Sequence, residues 1–423
     1  MKATIFSFIF FFTAQIVFAQ TSNESDRNKG WQTDIDTLLS LMKRQHYVYK
    51  SKPLPAELLT KAAKLKESVT QFSDERMVFE LEKLMYYMHD GHSYVLPFAP
   101  KIGPSYCMPL QFYLFSDGVY IINADEPYTT LIGSRVKQIN GISIDKILND
   151  MNSYIHQDNL HTVKWFAPTM MRFRGIYEMY GLRALSKNIS LSLVNRKNKP
   201  VLQNIEFVPV ASLKGIPKLI PSQLPEASPV PLYLSNITKN YWLEKNPERN
   251  TLYFQFNQVE DSPDESLSQF SAKLDSTLSK LKPRLFVIDV RHNNGGNKDL
   301  LRPLIDVIKR FESLNRTAKI IVITGRNTFS AAQVFITLIN KETKALFAGE
   351  PSASSPNFVG EEGNFFMLPW SGAIGNISNR YHESMPGDKR KWIQPDFPII
   401  LSSTSYFENQ DPVMDYIRKN FGY

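Results

Sequence analysis

The sequence predicts an α/β protein of several domains, and three observations carry that prediction. Apolar strands alternate with amphipathic helices from about residue 251 to 349, the stretch from Pro97 to Pro209 runs with a period of two, and residues 34–92 repeat at helical spacing. The chain has 423 residues, 43% of them hydrophobic and 21% charged, which is more than one hydrophobic core usually organises, so two or three domains are expected. Its aromatic and aliphatic content excludes a disordered chain, and its 19 Gly and 26 Pro follow no collagen-like period.

Residues 1–20 read as a signal peptide. Lys2 supplies a positive start, Ile5 to Phe18 is mostly apolar, and Val17-Phe18-Ala19 ends on a small residue where a peptidase would cut, near Ala19 or Gln20. That run is too short to span a bilayer, and no later stretch reaches spanning length, so an exported protein without a transmembrane segment, periplasmic or extracellular, is expected. The only cysteine, Cys107, lies far from the leader and has no intramolecular partner for a disulfide.

Residues 21–95 predict a helical domain. Ile35, Leu38, Leu39 and Met42 share one helix face and Leu58, Leu59, Ala62 and Leu65 another. Ser73 is a candidate N-cap for a third helix carrying Met77, Val78, Leu81, Leu84, Met85 and Met88, and Gly91 is expected to end it. Residues 96–210 form a β-rich module with strands at Pro109–Phe115, Val119–Asn123, Ser190–Val194 and Val201–Phe207, and Asn140-Gly141 marks a tight hairpin. The Pro-rich stretch 211–239 reads as a linker or long crossover. From 240 to 423 a last domain is expected, with strands at Thr251–Phe256, Leu285–Val290, Lys319–Thr324 and Ala345–Gly349 separated by helices at Glu265–Leu281, Asp299–Phe311 and Ser330–Asn340. Continuous apolar strands of this kind belong to a parallel sheet covered on both faces, whose function collects at the strands' carboxyl ends.

The formal net charge is +8, yet the densest basic runs, Arg196-Lys197-Asn198-Lys199 and Lys389-Arg390-Lys391, are short and isolated. Without a basic stripe interleaved with aromatics, no nucleic-acid partner is expected.

Two strand ends carry chemistry. After Leu285–Val290 comes Arg291-His292-Asn293-Asn294-Gly295-Gly296, where paired glycines allow a sharp turn that exposes backbone N–H groups. After Lys319–Thr324 comes Gly325-Arg326-Asn327-Thr328-Phe329-Ser330-Ala331-Ala332, with Ser330 at a helix start. Such a serine is either an N-cap or a nucleophile whose oxyanion the helix N-terminus would stabilise. A nucleophile needs a base, and His46, His89, His92, His156, His161, His292 and His382 are available. His92, after Asp90-Gly91, is the best placed. His89 and His92 alone are a weak metal signal, His-Glu-x-x-His is absent, and neither a phosphate loop nor a dinucleotide fingerprint occurs, so neither metal nor cofactor is expected. Gly-x-Ser-x-Gly is also missing, which argues against an α/β-hydrolase.

These residues, in this order, resemble the tail-specific or C-terminal-processing serine peptidase family. Asp90-Gly91-His92-Ser93 is similar to its Asp-Gly-His-Thr box, and Leu131 to Gly141 to the close of its PDZ-like module. Ile288 to Gly296 resembles its Asp-Leu-Arg-Gly-Asn-x-Gly-Gly strand end, Thr328 to Ala332 its nucleophile box, and Gln394-Pro395-Asp396 its C-terminal Pro-Asp. The family's lysine base, in Gly-Glu-x-Thr-x-Gly-Lys, is replaced: Gly349-Glu350-Pro351-Ser352-Ala353-Ser354-Ser355 ends in serine. The resemblance is therefore to the tricorn-core-like branch, which uses the histidine of the Asp-Gly-His box with a remote acid.

That resemblance implies a crotonase-like ββα catalytic domain shared with the Clp protease subunit, an N-terminal helical domain and a PDZ-like module that takes an extended peptide by strand addition. It implies a serine-type peptidase acting on peptide or protein substrates, with Ser330 as nucleophile, His92 as base, and Ala331 with Gly295 or Gly296 as oxyanion donors. The supporting acid is Glu383 or Asp388. A non-catalytic binding protein of the same fold, for peptides or apolar ligands, and an esterase remain alternatives, and the sequence carries no signal for oligomeric state.

Overall fold

The computed structural model describes residues 24–212, 219–222, 224, 229–246, 250–360 and 363–422. The leader, and with it the expected cleavage point, lies outside the described residues, as does part of the expected linker. The architecture is mixed α/β and falls into two compact units, one built from residues 24–212 with 359–382, the other from 219–358 with 383–422. Segment 359–382, which the sequence placed in the last domain, thus packs with the N-terminal half.

In the first unit, helices Glu24–Gln45, Ala56–Glu67 and Asp74–Met85 bury Trp31, Ile35, Leu38, Met42, Leu58, Ala62, Leu65, Met77 and Leu81 in a common core. Ser73 caps the third helix, its side chain accepting from the Arg76 N–H at 3.1 Å. Leu368, Ala373 and Ile377 join that core from around a small sheet ordered Tyr94–Val95, Ile374–Asn376, Phe365–Met367. Strands of two or three residues leave no readable period, which is why the sequence did not reveal them.

The β-rich part of this unit is an antiparallel sheet in the order Leu110–Phe115, Gly118–Ala124, Arg135–Ile139, Asn188–Val194, Pro200–Glu206. Asn140 and Gly141, both at positive φ (51° and 77°), turn Arg135–Ile139 onto Ile142–Ser143, as the dipeptide predicts. Helices Ile144–Met151 and Leu160–Met170 cover the sheet through Ile147, Met151, Val163 and Ala167.

The second unit is a six-stranded sheet in the order Tyr241–Asn246, Thr251–Phe256, Leu285–Asp289, Lys319–Thr324, Leu346–Gly349, Phe397–Pro398. All neighbours are parallel except the first pair. Alternate residues point to opposite faces. Phe254, Phe256, Phe286, Ile288 and Val322 meet helices Leu267–Leu281, Arg302–Leu314 and Ala331–Glu342, whereas Tyr253, Val287, Ile321 and Ile323 meet Val413, Met414 and Ile417 of helix Pro412–Phe421. Each such side chain contributes about 1.5–3 kcal/mol by burial, against about 1 kcal/mol for a typical hydrogen bond, so apolar packing makes the sheet a rigid support for its strand ends. Tyr241–Asn246 escaped the sequence reading because its second half is polar and exposed. Within the expected linker, Leu232–Ser235 is a short helix with Tyr233 and Leu234 buried, so its described end is packed structure.

Candidate active site

Strand Leu285–Asp289 delivers the chain into the turn Val290–Gly296. Buried Asn293 organises that turn: its Nδ2 donates to the Phe256 carbonyl at 3.0 Å, and its Oδ1 accepts from the Gly295 N–H at 3.0 Å. The Val259 N–H donates to the Gly295 carbonyl and the Asn297 N–H to the Val259 carbonyl, both at 2.8 Å. Gly295 and Gly296 take φ of 116° and 128°, a region open to glycine.

The neighbouring strand Lys319–Thr324 ends in a turn tied to the first. Thr328 Oγ1 donates to the Val290 carbonyl at 3.0 Å and accepts from the Gly325 N–H at 3.0 Å, and the Phe329 N–H donates to the Asn293 carbonyl at 3.1 Å. Glu350 pairs in two places with buried Arg326, both at 2.7 Å, and the Ala353 N–H donates to the Thr328 carbonyl, so segment 350–354 braces the same turn.

Ser330 stands at the junction with φ 54° and ψ −123°, strained for a non-glycine residue, and its side chain makes no capping bond to the helix it precedes. This removes the N-cap reading. The Ser330 N–H donates to Ser354 Oγ at 3.4 Å. A Cβ placed on Gly295 would lie 2.7 Å from Ser330 Cβ, 3.1 Å from Ser330 Oγ and 3.0 Å from the Ala331 nitrogen, so the Gly295 backbone, the Ser330 hydroxyl and the first amide of the helix are immediate neighbours. The Ala331 N–H, at the first helical position, has no intrahelical carbonyl to reach. The two glycines differ: the Gly295 N–H is engaged by Asn293, whereas the Gly296 N–H has no acceptor among the described residues.

A buried ionic cluster anchors the same turn. Asp289 is fully buried and accepts from Tyr253 Oη at 2.7 Å and from Arg291 Nη2 at 2.7 Å. Arg291 also donates to both oxygens of Asp411 (3.1 and 2.7 Å), and Asp411 caps helix Pro412–Phe421. Burial alone would push the Asp289 carboxyl up, but the Arg291 guanidinium and the hydrogen bonds to it hold it below the usual carboxylate range. The partners of this cluster are 120 residues apart and were not legible in the sequence.

In the other unit, His92 is 4% exposed. The helix before it closes through a short 3-10 turn, and His89, at φ 55° and ψ 37°, makes the left-handed stop that the sequence reading assigned to Gly91. Asp90 then gathers the loop. Its Oδ1 accepts from the N–H groups of His92 (2.8 Å) and Ser93 (2.6 Å) and from Ser378 Oγ (2.6 Å), and its Oδ2 accepts from Ser93 Oγ (2.8 Å) and pairs with His46 Nε2 (3.0 Å). The Val48 N–H donates to His46 Nδ1 at 3.3 Å, which leaves Nε2 as the protonated nitrogen facing Asp90. Burial alone would raise the Asp90 carboxyl; the His46, Ser378 and Ser93 hydrogen bonds outweigh it and hold Asp90 below its ordinary value. The His92 carbonyl accepts from Asn376 Nδ2 at 2.8 Å.

Of the two candidate acids, Glu383 is exposed at the end of strand Arg380–Glu383, and Asp388 is engaged by Arg390 (Nη2 at 2.7 Å), which holds its carboxyl below the usual range. Asp396 of the Pro-Asp motif accepts from the Phe347 N–H at 2.8 Å and pins a strand. His292 Nε2 lies 2.8 Å from the Tyr233 carbonyl, with its ring stacked on Tyr233. Among the described residues no group of three His, Cys, Asp or Glu could hold a metal ion, and no helix is long and apolar enough to cross a membrane.

No protein-family model and no curated protein sequence matches the chain. Solved structures do. Mature CPAF complexed with lactacystin aligns over 93% of this chain and 97% of its own at 12% identity and a TM-score of 0.62, and a serine-to-alanine CPAF mutant aligns over the same shares at 12% identity and 0.66. At 12% identity this likeness is one of fold. The photosystem II D1 C-terminal processing protease aligns over 88% of this chain and 93% of its own at 12% identity, with a TM-score of 0.38, too low to support a comparison.

Proposed function

We propose that this protein is an exported serine-type peptidase. The observation that carries the reading is the strained Ser330, whose hydroxyl is not spent on capping and lies beside the Gly295 backbone and the Ala331 amide. Ser330 attacks a peptide carbonyl, the Ala331 and Gly296 N–H groups receive the oxyanion, and His92 takes the Ser330 proton and returns it to the leaving amine. Glu383 or Asp388 supports His92. The reading requires His92 and Ser330 to come within hydrogen-bonding reach, directly or through one water, when substrate binds. The sheet that bears Ser330 is the crotonase-like ββα domain, residues 96–210 are a PDZ-like module that holds extended peptide, and residues 1–20 direct export to the periplasm or the exterior. The fold shared with CPAF and the order of the sequence motifs support these assignments.

A fluorophosphonate probe tests the nucleophile. Covalent labelling of the native chain that maps to Ser330 by mass spectrometry, and that slows on His92→Ala, is the expected result. A native protein that resists the probe is not a serine peptidase by this mechanism.

A further inference from the structure

Asn376 holds a buried acceptor that the fold does not use. The residue is fully buried at the end of the middle strand of the three-stranded sheet, paired with Tyr94 on one side and Phe365 on the other. Its Nδ2 donates to the His92 carbonyl at 2.8 Å. Its Oδ1, on the same planar amide and closed to solvent, receives no hydrogen bond among the described residues. Such an acceptor is uncommon in a native fold because its desolvation is not offset, so its presence beside the His92 loop calls for a physical reason.

Its place supplies one. Carried two residues back from the Tyr94–Asn376 pair, the antiparallel register sets His92 diagonal to Asn376 on the same face, within side-chain reach. Both ring nitrogens of His92 are closed to solvent too. Once the ring has taken the Ser330 proton, both nitrogens are donors; one returns its proton to the leaving group, and the other needs an acceptor that bulk water does not reach. Asp90 is already filled, its two oxygens taking five donors: the His92 and Ser93 amides, the Ser93 and Ser378 hydroxyls and His46 Nε2. Of the other carboxylates at this loop, Asp158 takes the Gly91 N–H at 2.8 Å, and Glu82 faces His156 Nδ1 (2.8 Å) and the Val95 N–H (2.6 Å).

We infer that Asn376 Oδ1 is the acceptor that fixes the His92 ring for proton transfer, which makes Asn376 a positioning residue. An amide oxygen only accepts, so it holds the tautomer in which the nitrogen facing it carries the proton and the other acts as base. The inference rests on His92 being the base; the acid proposed above contributes charge, and Asn376 the bond that orients the ring.

Nitrogen-15 NMR of the histidine-labelled full chain tests the contact without any variant. The His92 ring, identified by its loss in His92→Ala, should show one slowly exchanging N–H with cross-peaks to the Asn376 side-chain amide. Two substitutions then separate orientation from simple support of the backbone. Asn376→Leu removes both amide functions, so kcat should fall about 100-fold with KM little changed, and the acidic limb of kcat/KM should move down by about one pH unit because the imidazolium loses its acceptor. Asn376→Asp keeps an acceptor but loses the donor to the His92 carbonyl; its limb should move up instead. A ring proton that exchanges freely, one that persists in Asn376→Leu, or a limb that stays in place in both variants would overturn the inference, and if neither variant folds the cross-peak in the parent decides alone. Probe labelling of Ser330 reads the peptidase assignment separately, so failure of one is distinguishable from failure of the other.

Discussion

The Ser330 turn and the His92 loop are held in place by different physics. Around Ser330 the constraint is backbone: a positive φ, two glycines, and amides left open by the start of a helix. Around His92 it is a buried carboxylate, with Asp90 accepting from two backbone amides, two hydroxyls and one imidazole. A site built from backbone fails when a side chain intrudes. One built on a buried charge fails when its hydrogen-bond directions or its protonation change.

Four experiments probe that contrast. The largest effect is expected for Ser330→Ala, which removes the nucleophile and leaves the turn intact; peptide turnover should fall by about 10³-fold or more with Tm little changed. Gly295→Ala comes next. Its Cβ would collide with Ser330 Cβ at 2.7 Å and sit on φ 116°, so turnover should drop about 100-fold and stability by about 1–3 kcal/mol, read by steady-state kinetics and denaturant unfolding.

Asp90→Asn tests the other region. The new amide would turn an N–H toward His46 Nε2–H, and a tautomer change would give up the Val48 contact, so unfolding should become easier by about 3 kcal/mol at pH 7. The sign of the pH dependence follows from the lowered native value. Asp90 stabilises the fold fully above the ordinary carboxylate pKa near 3.9, and loses that contribution as pH falls through its lower native value. A Tm profile for the parent should therefore be flat from about pH 7 to 5 and fall below about 4, while the gap to Asp90→Asn narrows there. The smallest effect is expected for Ser354→Ala, which deletes a long 3.4 Å contact to the Ser330 amide; stability should change by less than about 1 kcal/mol and turnover by a few-fold.

Much of the Ser330 region was legible in the sequence because its determinants are local. The run Leu285–Val290 reads as a buried strand, Gly295-Gly296 as a turn, and Ser330 as the residue opening a helix, each from a handful of neighbours, and the strand observed is Leu285–Asp289. Whether Ser330 caps that helix or stands free of it was undecidable from those neighbours, since the choice depends on its φ and on what the second turn places against it. The His92 loop was legible only as a motif. That Asp90 holds it, with help from His46, 44 residues earlier, and Ser378, 288 residues later, depends on side chains meeting across the fold.

Local propensity and periodicity therefore determined the α/β class, the three N-terminal helices, the Asn140-Gly141 hairpin and the strands of the parallel sheet, because each is encoded within a few residues of itself. Tertiary structure alone decided that segment 359–382 packs with the N-terminal half, that Asp289, Arg291 and Asp411 form one cluster, and that Asn376 donates to the carbonyl of His92, 284 residues earlier. Those outcomes depend on which distant groups share a low-dielectric interior. Hydrogen bonding and desolvation there are set by neighbours in space, and no spacing along the chain records them.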